Sequence, residues 1–172
     1  SYHTGEQTLA QELWKRLPDH CVIVVDKGFI NYFVFYSIQS QGTGRHWLCR
    51  AKGNLKWQVI RRLGPKDDLV QIPTNHSLRN LHPELPEFIE ARAIRYQRRG
   101  FRPQVLLTSL LDPETYPAHE IVELYHERWE LEIGFDEVKT HALERIETLR
   151  SKAPQRILQE LWGLAIAYNL VR

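Results

Sequence analysis

The run Cys21, Val22, Ile23, Val24 and Val25 constrains the fold more than any other feature of the sequence. Four of the five residues are β-branched, and such side chains are stiff at χ1 and suit a pleated strand better than a helix. None is polar, so neither face is given to water. A strand buried on both sides belongs in a parallel sheet with helices packed over it. The run ends at Asp26-Lys27-Gly28-Phe29, and the apolar, aromatic stretch 31–39 then predicts a helix. Strand, acid, turn and helix in that order predict an α/β protein. In open α/β sheets, ligand sites gather beyond the carboxyl ends of the strands. Asp26 stands there, and Gly28 reads as the residue that lets the backbone turn sharply. A plainer role for Asp26 is simply to cap that turn.

The rest of the chain fills in around this unit. Leu9, Leu13, Trp14 and Leu17 recur at helical spacing over 5–17, and Pro18-Asp19 stops that helix. Residues 46–51 read as a second strand. From about 55 to 110, short alternating runs at 57–60, 69–72, 88–96 and 104–108 are punctuated by Gly64-Pro65, Pro73 and Gly100, the pattern of antiparallel strands. Pro117-Ala118 opens a long helix to about 139, and Pro154 opens a last apolar helix to about 171. With 172 residues and 42% hydrophobic content, one core and one domain over 1–172 are expected. The two cysteines sit in apolar stretches and form no Cys-x-x-Cys, which argues against a thiolate zinc site and for a reducing, cytosolic setting. No stretch is long and apolar enough for a membrane span.

Charge is segregated. Residues 45–102 carry 13 Lys and Arg against 5 Asp and Glu, a balance of +8, while 103–150 carry 4 against 11, a balance of −7. That division suits a protein that grips a polyanion with one part and holds cations with another. It is also what solvated strand surfaces look like.

The segment 121–139 is the most informative. At about 100° per residue, with Tyr125 at zero, Arg128 falls near 300°, Glu132 near 340° and Lys139 near 320°. Four polar side chains thus share an arc of about 60°. Leu124, Leu131, Phe135 and Val138 flank it on one side, and Val122, Trp129 and Ile133 on the other. Glu123, Glu127, Glu130 and Glu137 take the opposite, solvent face. An ordinary amphipathic helix would put Leu or Ile where Glu132 stands. An i, i+4 ion pair between Arg128 and Glu132 explains two of these residues, but not Tyr125 and Lys139 beside them.

The spacing Tyr125-x2-Arg128-x3-Glu132-x6-Lys139 matches the Tyr-Arg-Glu-Lys signature of the insertion-sequence-four family of DDE transposases. Asp26-Lys27-Gly28-Phe29 resembles that family's strand-ending Asp-Arg-Gly-Phe, with Lys for the usual Arg. The tail, from Thr148-Leu149-Arg150-Ser151-Lys152 to Tyr168-Asn169-Leu170, is similar as well. The resemblance covers essentially the whole chain and implies a ribonuclease-H-like α/β fold with a β-rich insertion, at about 52–112, between the second and third catalytic acids. Asp26 and Glu132 would be those acids, both catalytic and both ligands of Mg2+, for which Mn2+ substitutes. Tyr125, Arg128 and Lys139 would contact DNA phosphates, and Trp57 would stack a flipped base or else fill the core. Implied partners are double-stranded DNA, both transposon ends and target, and a second copy in a homodimer assembled on DNA. No membrane is involved, and the setting is the bacterial cytoplasm at the nucleoid. The family's first Asp has no counterpart, since the earliest Asp is Asp19, in a turn. The resemblance therefore implies an N-terminally truncated domain that is inactive alone. A non-catalytic DNA-binding remnant and a structure-selective nuclease of the same fold are the alternatives.

Overall fold

Val22–Val25 forms the first strand, β1, and leads through a single 3-10 turn at Lys27–Phe29 into helix α1, Tyr32–Ser40. Strands β2 (His46–Arg50), β3 (Gln58–Gly64) and β4 (Asp67–Pro73) follow, then a short helix α2 (His76–Leu81). Strands β5 (Phe88–Tyr96) and β6 (Gln104–Thr108) come next, followed among the described residues by helices α3 (Ala118–Glu137) and α4 (Pro154–Val171). This computed structural model describes residues 13–137 and 151–171. Of the helix expected over 5–17, only Leu13 and Trp14 lie among the described residues as helix.

The six described strands form one sheet in the order β1-β2-β6-β5-β4-β3. β1 and β2 are parallel, with Val25 opposite Cys49, and every other pairing is antiparallel. The strands expected from the alternating runs are all present. One part of the reading is corrected: β1 is not buried on both sides. It is the outermost of the described strands on its side of the sheet, Val22 is exposed and only Val25 is buried. A second helix, α2, falls inside the region read as strands. Asn75 caps it, its side chain accepting from Ser77 N at 2.8 Å, and an Asn just ahead of a short apolar-polar stretch is the signal that alternation obscured.

The chain divides into two units, Ser1–Tyr125 and His126–Arg172. In the first, side chains alternate across the sheet because successive strand residues point to opposite faces. Trp47 and Cys49 join Val25, Val70, Ala91, Ala93 and Leu107 on one face, where Val34, Phe35 and Ile38 of α1 cover them. Phe35 and Trp47 stack with ring centroids 3.9 Å apart. On the other face Leu48, Ile94 and Leu106 meet Leu110, Ile121 and Tyr125. The second unit holds the rest of α3 and α4, whose start is fixed by Pro154 and by Ser151 N donating to Glu160 Oε1 at 3.1 Å. Among the described residues no helix is long and apolar enough to cross a membrane.

The basic block is only partly a solvated face. Arg45 is buried, donating to Trp14 O at 3.1 Å and Leu17 O at 2.5 Å beside Asp19. Gly42 lies against it so closely that a Cβ there would sit 2.1 Å from Arg45 Nε. Arg92 is fully buried and paired twice to Asp67, through Nε to Oδ1 at 2.7 Å and through Nη2 to Oδ2. Its Nη1 donates to Tyr116 O at 2.5 Å. Asp68, on the opposite face, binds Arg95 at 2.6 Å with Arg62 beside it at 3.7 Å. These arginines serve the fold first.

Candidate active site

Asp26 follows β1 by one residue and keeps an extended conformation, φ −70° and ψ 158°. Its carboxylate is exposed and accepts from Gly28 N at 3.2 Å, so the residue does cap the 3-10 turn while presenting an anion at the end of a parallel strand pair. The expected role of Gly28 needs correction. Its φ is not in the left-handed region, and a Cβ there would meet only Asp26 Oδ2 at 3.5 Å, an ordinary contact. The turn itself does not demand glycine.

Beneath Asp26 lies Cys49. Its thiol is pushed up to about 12 from the ordinary 9.0, first by burial and then by the Asp26 charge, while Lys52 pulls the other way. Cys49 should therefore resist iodoacetamide in the folded protein at mildly alkaline pH, whereas the half-buried Cys21 is alkylated, because the thiolate is the nucleophile. Above pH 9 the unfolded chain gives up the Cys49 proton while the folded chain keeps it, so this contribution to stability is lost as pH rises toward 12. Peptide mapping of alkylated native protein checks the first point; equal labelling of both thiols would contradict it.

Helix α3 runs without interruption through Tyr125, Arg128 and Glu132. Tyr125, 3% exposed, packs in the first unit with Leu48, Ile94 and Ile121. In the second unit, the Arg128 side chain is 18% exposed and donates through Nη1 to Glu132 Oε1, whose side chain is 48% exposed. The ion pair weighed from the sequence is thus present. Glu123, Glu127 and Glu130 face solvent as expected. Trp129 and Ile133, expected as apolar flanks, are both more than half exposed. The side chains of Leu131, Phe135 and Glu137, and all of Val138 and Lys139, lie outside the described residues. Trp57 is half-buried against the α1-side core.

Of the expected site residues, the structure thus brings Arg128 and Glu132 into direct contact and sets Tyr125 one to two turns before them. Asp26 belongs to the first unit and Glu132 to the second. Both carboxylates are solvent-accessible hard oxygen donors, the kind that suits Mg2+ or Mn2+. Among the described residues there is no cluster of three or more His, Cys, Asp or Glu side chains able to hold a metal. What sequence reading missed is the Arg92–Asp67 pair; consecutive acids opening a strand, Asp67 and Asp68, with Arg92 and Arg95 on the partner strand, were the available signal.

A mixed α/β unit built on a six-stranded, mostly antiparallel sheet, with an acid past a strand end and another on a late helix, is compatible with the ribonuclease-H-like class of polynucleotidyl transferases. The chain belongs to the transposase DDE domain family, whose model matches residues 2–170, and it is of the insertion-sequence-four type. It is 36% identical over 168 residues to the transposase InsG for insertion sequence element IS4 of Escherichia coli (strain K12). That match takes in 98% of this chain and 38% of the relative, so the chain spans well under half the length of the protein it resembles.

Proposed function

We propose that these residues form part of the catalytic domain, ribonuclease-H-like with a β-rich insertion at about 52–112, of a DNA transposase that cleaves and joins transposon ends. The observation that carries the reading is Asp26 presented beyond the parallel β1–β2 pair, followed in the chain by Glu132 on a helix that also bears Tyr125 and Arg128. Asp26 and Glu132 would hold Mg2+ or Mn2+, which, when bound, activates the attacking oxygen and stabilises the leaving oxygen of an in-line displacement at phosphorus. Asp26 contributes a rigidly placed carboxylate, since strand β1 fixes its backbone and Gly28 N its side chain. Glu132 contributes the second from helix α3. Arg128 forks onto a DNA phosphate bidentately when it turns from Glu132, Lys139 adds a point charge, and the Tyr125 hydroxyl a hydrogen bond. Trp57 offers a ring to an unpaired base. The partners are double-stranded DNA and a second copy assembled on it, in the bacterial cytoplasm.

The test is nicking of duplex DNA carrying transposon-end sequence, with and without Mg2+, by the 172-residue chain and by a version extended upstream to supply a further carboxylate. Chelator-sensitive nicking by the extended chain supports the reading. Absence of any metal-dependent nicking, with DNA binding intact, would favour a binding module instead.

Duplex binding itself should be strongly salt-dependent. Arg61, Lys66, Arg98, Arg99 and Arg102 are all exposed, and each phosphate they neutralise lowers the slope of log Kobs against log salt by about 0.9. Anisotropy titrations on blunt duplex at several salt concentrations measure that slope, and a flat response would remove the β-rich region from the DNA interface.

A further inference from the structure

A cleft of about 360 Å3 opens beside the carboxyl ends of β1 and β2. Ile30, Tyr32, Leu55 and Pro73 form its apolar wall, and Lys52, Asn54 and Lys56 stand at its exposed rim. Its volume is within the range of small-ligand sites, about 300–1,000 Å3. None of these residues takes part in the acid-bearing site or belongs to the Tyr-Arg-Glu-Lys stripe.

Its position follows from chain connectivity. Ile30 and Tyr32 come four and six residues after Asp26, at the end of the turn that Asp26 caps and the start of α1. Lys52 comes three residues after Cys49, which is paired in register with Val25, the neighbour of Asp26. Asp26 and Lys52 act with opposite sign on the same buried Cys49 thiol, so both charges lie within electrostatic reach of one sulfur. Among the described residues neither Lys52 nor Lys56 has a carboxylate within ion-pair distance. In a fold that neutralises Arg45, Arg62, Arg92 and Arg95 with its own aspartates, two lysines left to solvent at the mouth of one cleft are available to an external anion.

The chemistry selects the ligand class. Two ammonium groups at the rim of one cleft, on the connection between β2 and β3, suit phosphate oxygens as point charges, and the Asn54 amide can both donate and accept. An aromatic ring among aliphatic side chains suits the face of a base or sugar. A charged rim combined with an aromatic wall is the arrangement that binds single-stranded nucleic acid, with sequence-tolerant stacking and backbone contacts. We infer that the cleft lined by Tyr32, Lys52, Asn54 and Lys56 is a subsite for one unpaired DNA strand entering or leaving at Asp26. This rests on the transposase reading for the identity of the strand, but not on catalysis.

The test uses the 172-residue chain in chelator, so that it is independent of metal-dependent cleavage. Affinity is measured by anisotropy for a duplex with a single-stranded tail and for the same duplex with blunt ends. Each single-strand phosphate contact contributes about 0.7 to the salt slope, so the double variant Lys52→Gln, Lys56→Gln should lower the slope for the tailed duplex by about 1.4. The wild-type advantage then shrinks about sevenfold between roughly 50 and 200 mM salt. Binding of the blunt duplex should change far less. The double variant Lys52→Arg, Lys56→Arg should restore tail binding, and Tyr32→Ala should weaken it about tenfold without altering the slope. Excess thymidine monophosphate should leave the tailed complex intact. An unchanged slope in the glutamine variant, an equal loss on blunt duplex, or displacement by the free nucleotide would overturn the assignment. Loss of nicking in a separate metal-dependent assay, with tail binding intact, would instead fail the catalytic reading alone.

Discussion

Replacing Arg92 with alanine should destabilise the first unit by about 3–5 kcal/mol, the range for breaking a buried ion pair from one side. Arg92 is fully buried and holds both oxygens of Asp67, itself buried, so the substitution strands an anion away from water. Tyr116 O loses its donor in the same step, which adds roughly 1 kcal/mol if no water replaces it. The attraction within the pair is not the source of the loss, because charges taken out of water repay their desolvation only in part. The double variant Arg92→Leu, Asp67→Leu should accordingly recover most of the stability lost by Arg92→Ala. Urea unfolding followed by tryptophan fluorescence measures all three proteins. A loss below about 1 kcal/mol for Arg92→Ala would mean that solvent reaches Asp67 and that the pair behaves as a surface bridge. The consequence reaches beyond stability, since Tyr116 immediately precedes Pro117 and the start of α3. Arg92 ties β4 and β5 to the point where that helix begins.

How far the sequence could be read depended on whether a feature was local. The β-branched run announced β1, and the apolar, aromatic stretch 31–39 announced α1, because both depend on neighbours in the chain. The antiparallel strands between 55 and 110 were legible from alternation, which one-sided burial imposes residue by residue. The burial of β1 was not legible in its composition. Composition reports what a strand can tolerate on its faces, whereas its place at the margin of the described sheet depends on which strands pair beside it. The basic block was misleading for a related reason. Charge counts do not say which arginines find an aspartate 25 or 27 residues away, as Arg92 and Arg95 do with Asp67 and Asp68. Helical phase put Glu123, Glu127 and Glu130 on an exposed face, where they are, but could not tell that Glu132, set on the core-facing stripe, and Trp129 and Ile133 beside it would stand exposed too, because phase fixes direction and not what lies in that direction. The Lys52–Lys56 cleft needed three segments to meet, and no window of sequence contains it.

In a chain competent for metal-dependent nicking, Asp26→Asn and Glu132→Gln should each reduce the nicking rate by about a thousandfold while leaving the fold intact. Charge stabilisation by a bound metal contributes several kcal/mol to such a displacement, and each 1.36 kcal/mol is a factor of ten in rate. The substitutions are chosen to remove charge and little else. Asparagine is as good a capping residue as aspartate, so the hydrogen bond from Gly28 N survives in Asp26→Asn. Glutamine keeps an oxygen for Arg128, and the i, i+4 pair it weakens stabilises a helix by only a few tenths of a kcal/mol. Unfolding free energies should therefore move by less than about 1 kcal/mol, as for surface positions generally. Binding of blunt duplex in chelator should persist or tighten slightly, because a carboxylate that repels phosphate has been removed. The pattern separates the acids from a structural role: catalysis collapses while stability and DNA binding do not. If either variant retained more than about a tenth of the wild-type nicking rate, that carboxylate would not be a metal ligand, and the acid completing the site would have to be sought on another element.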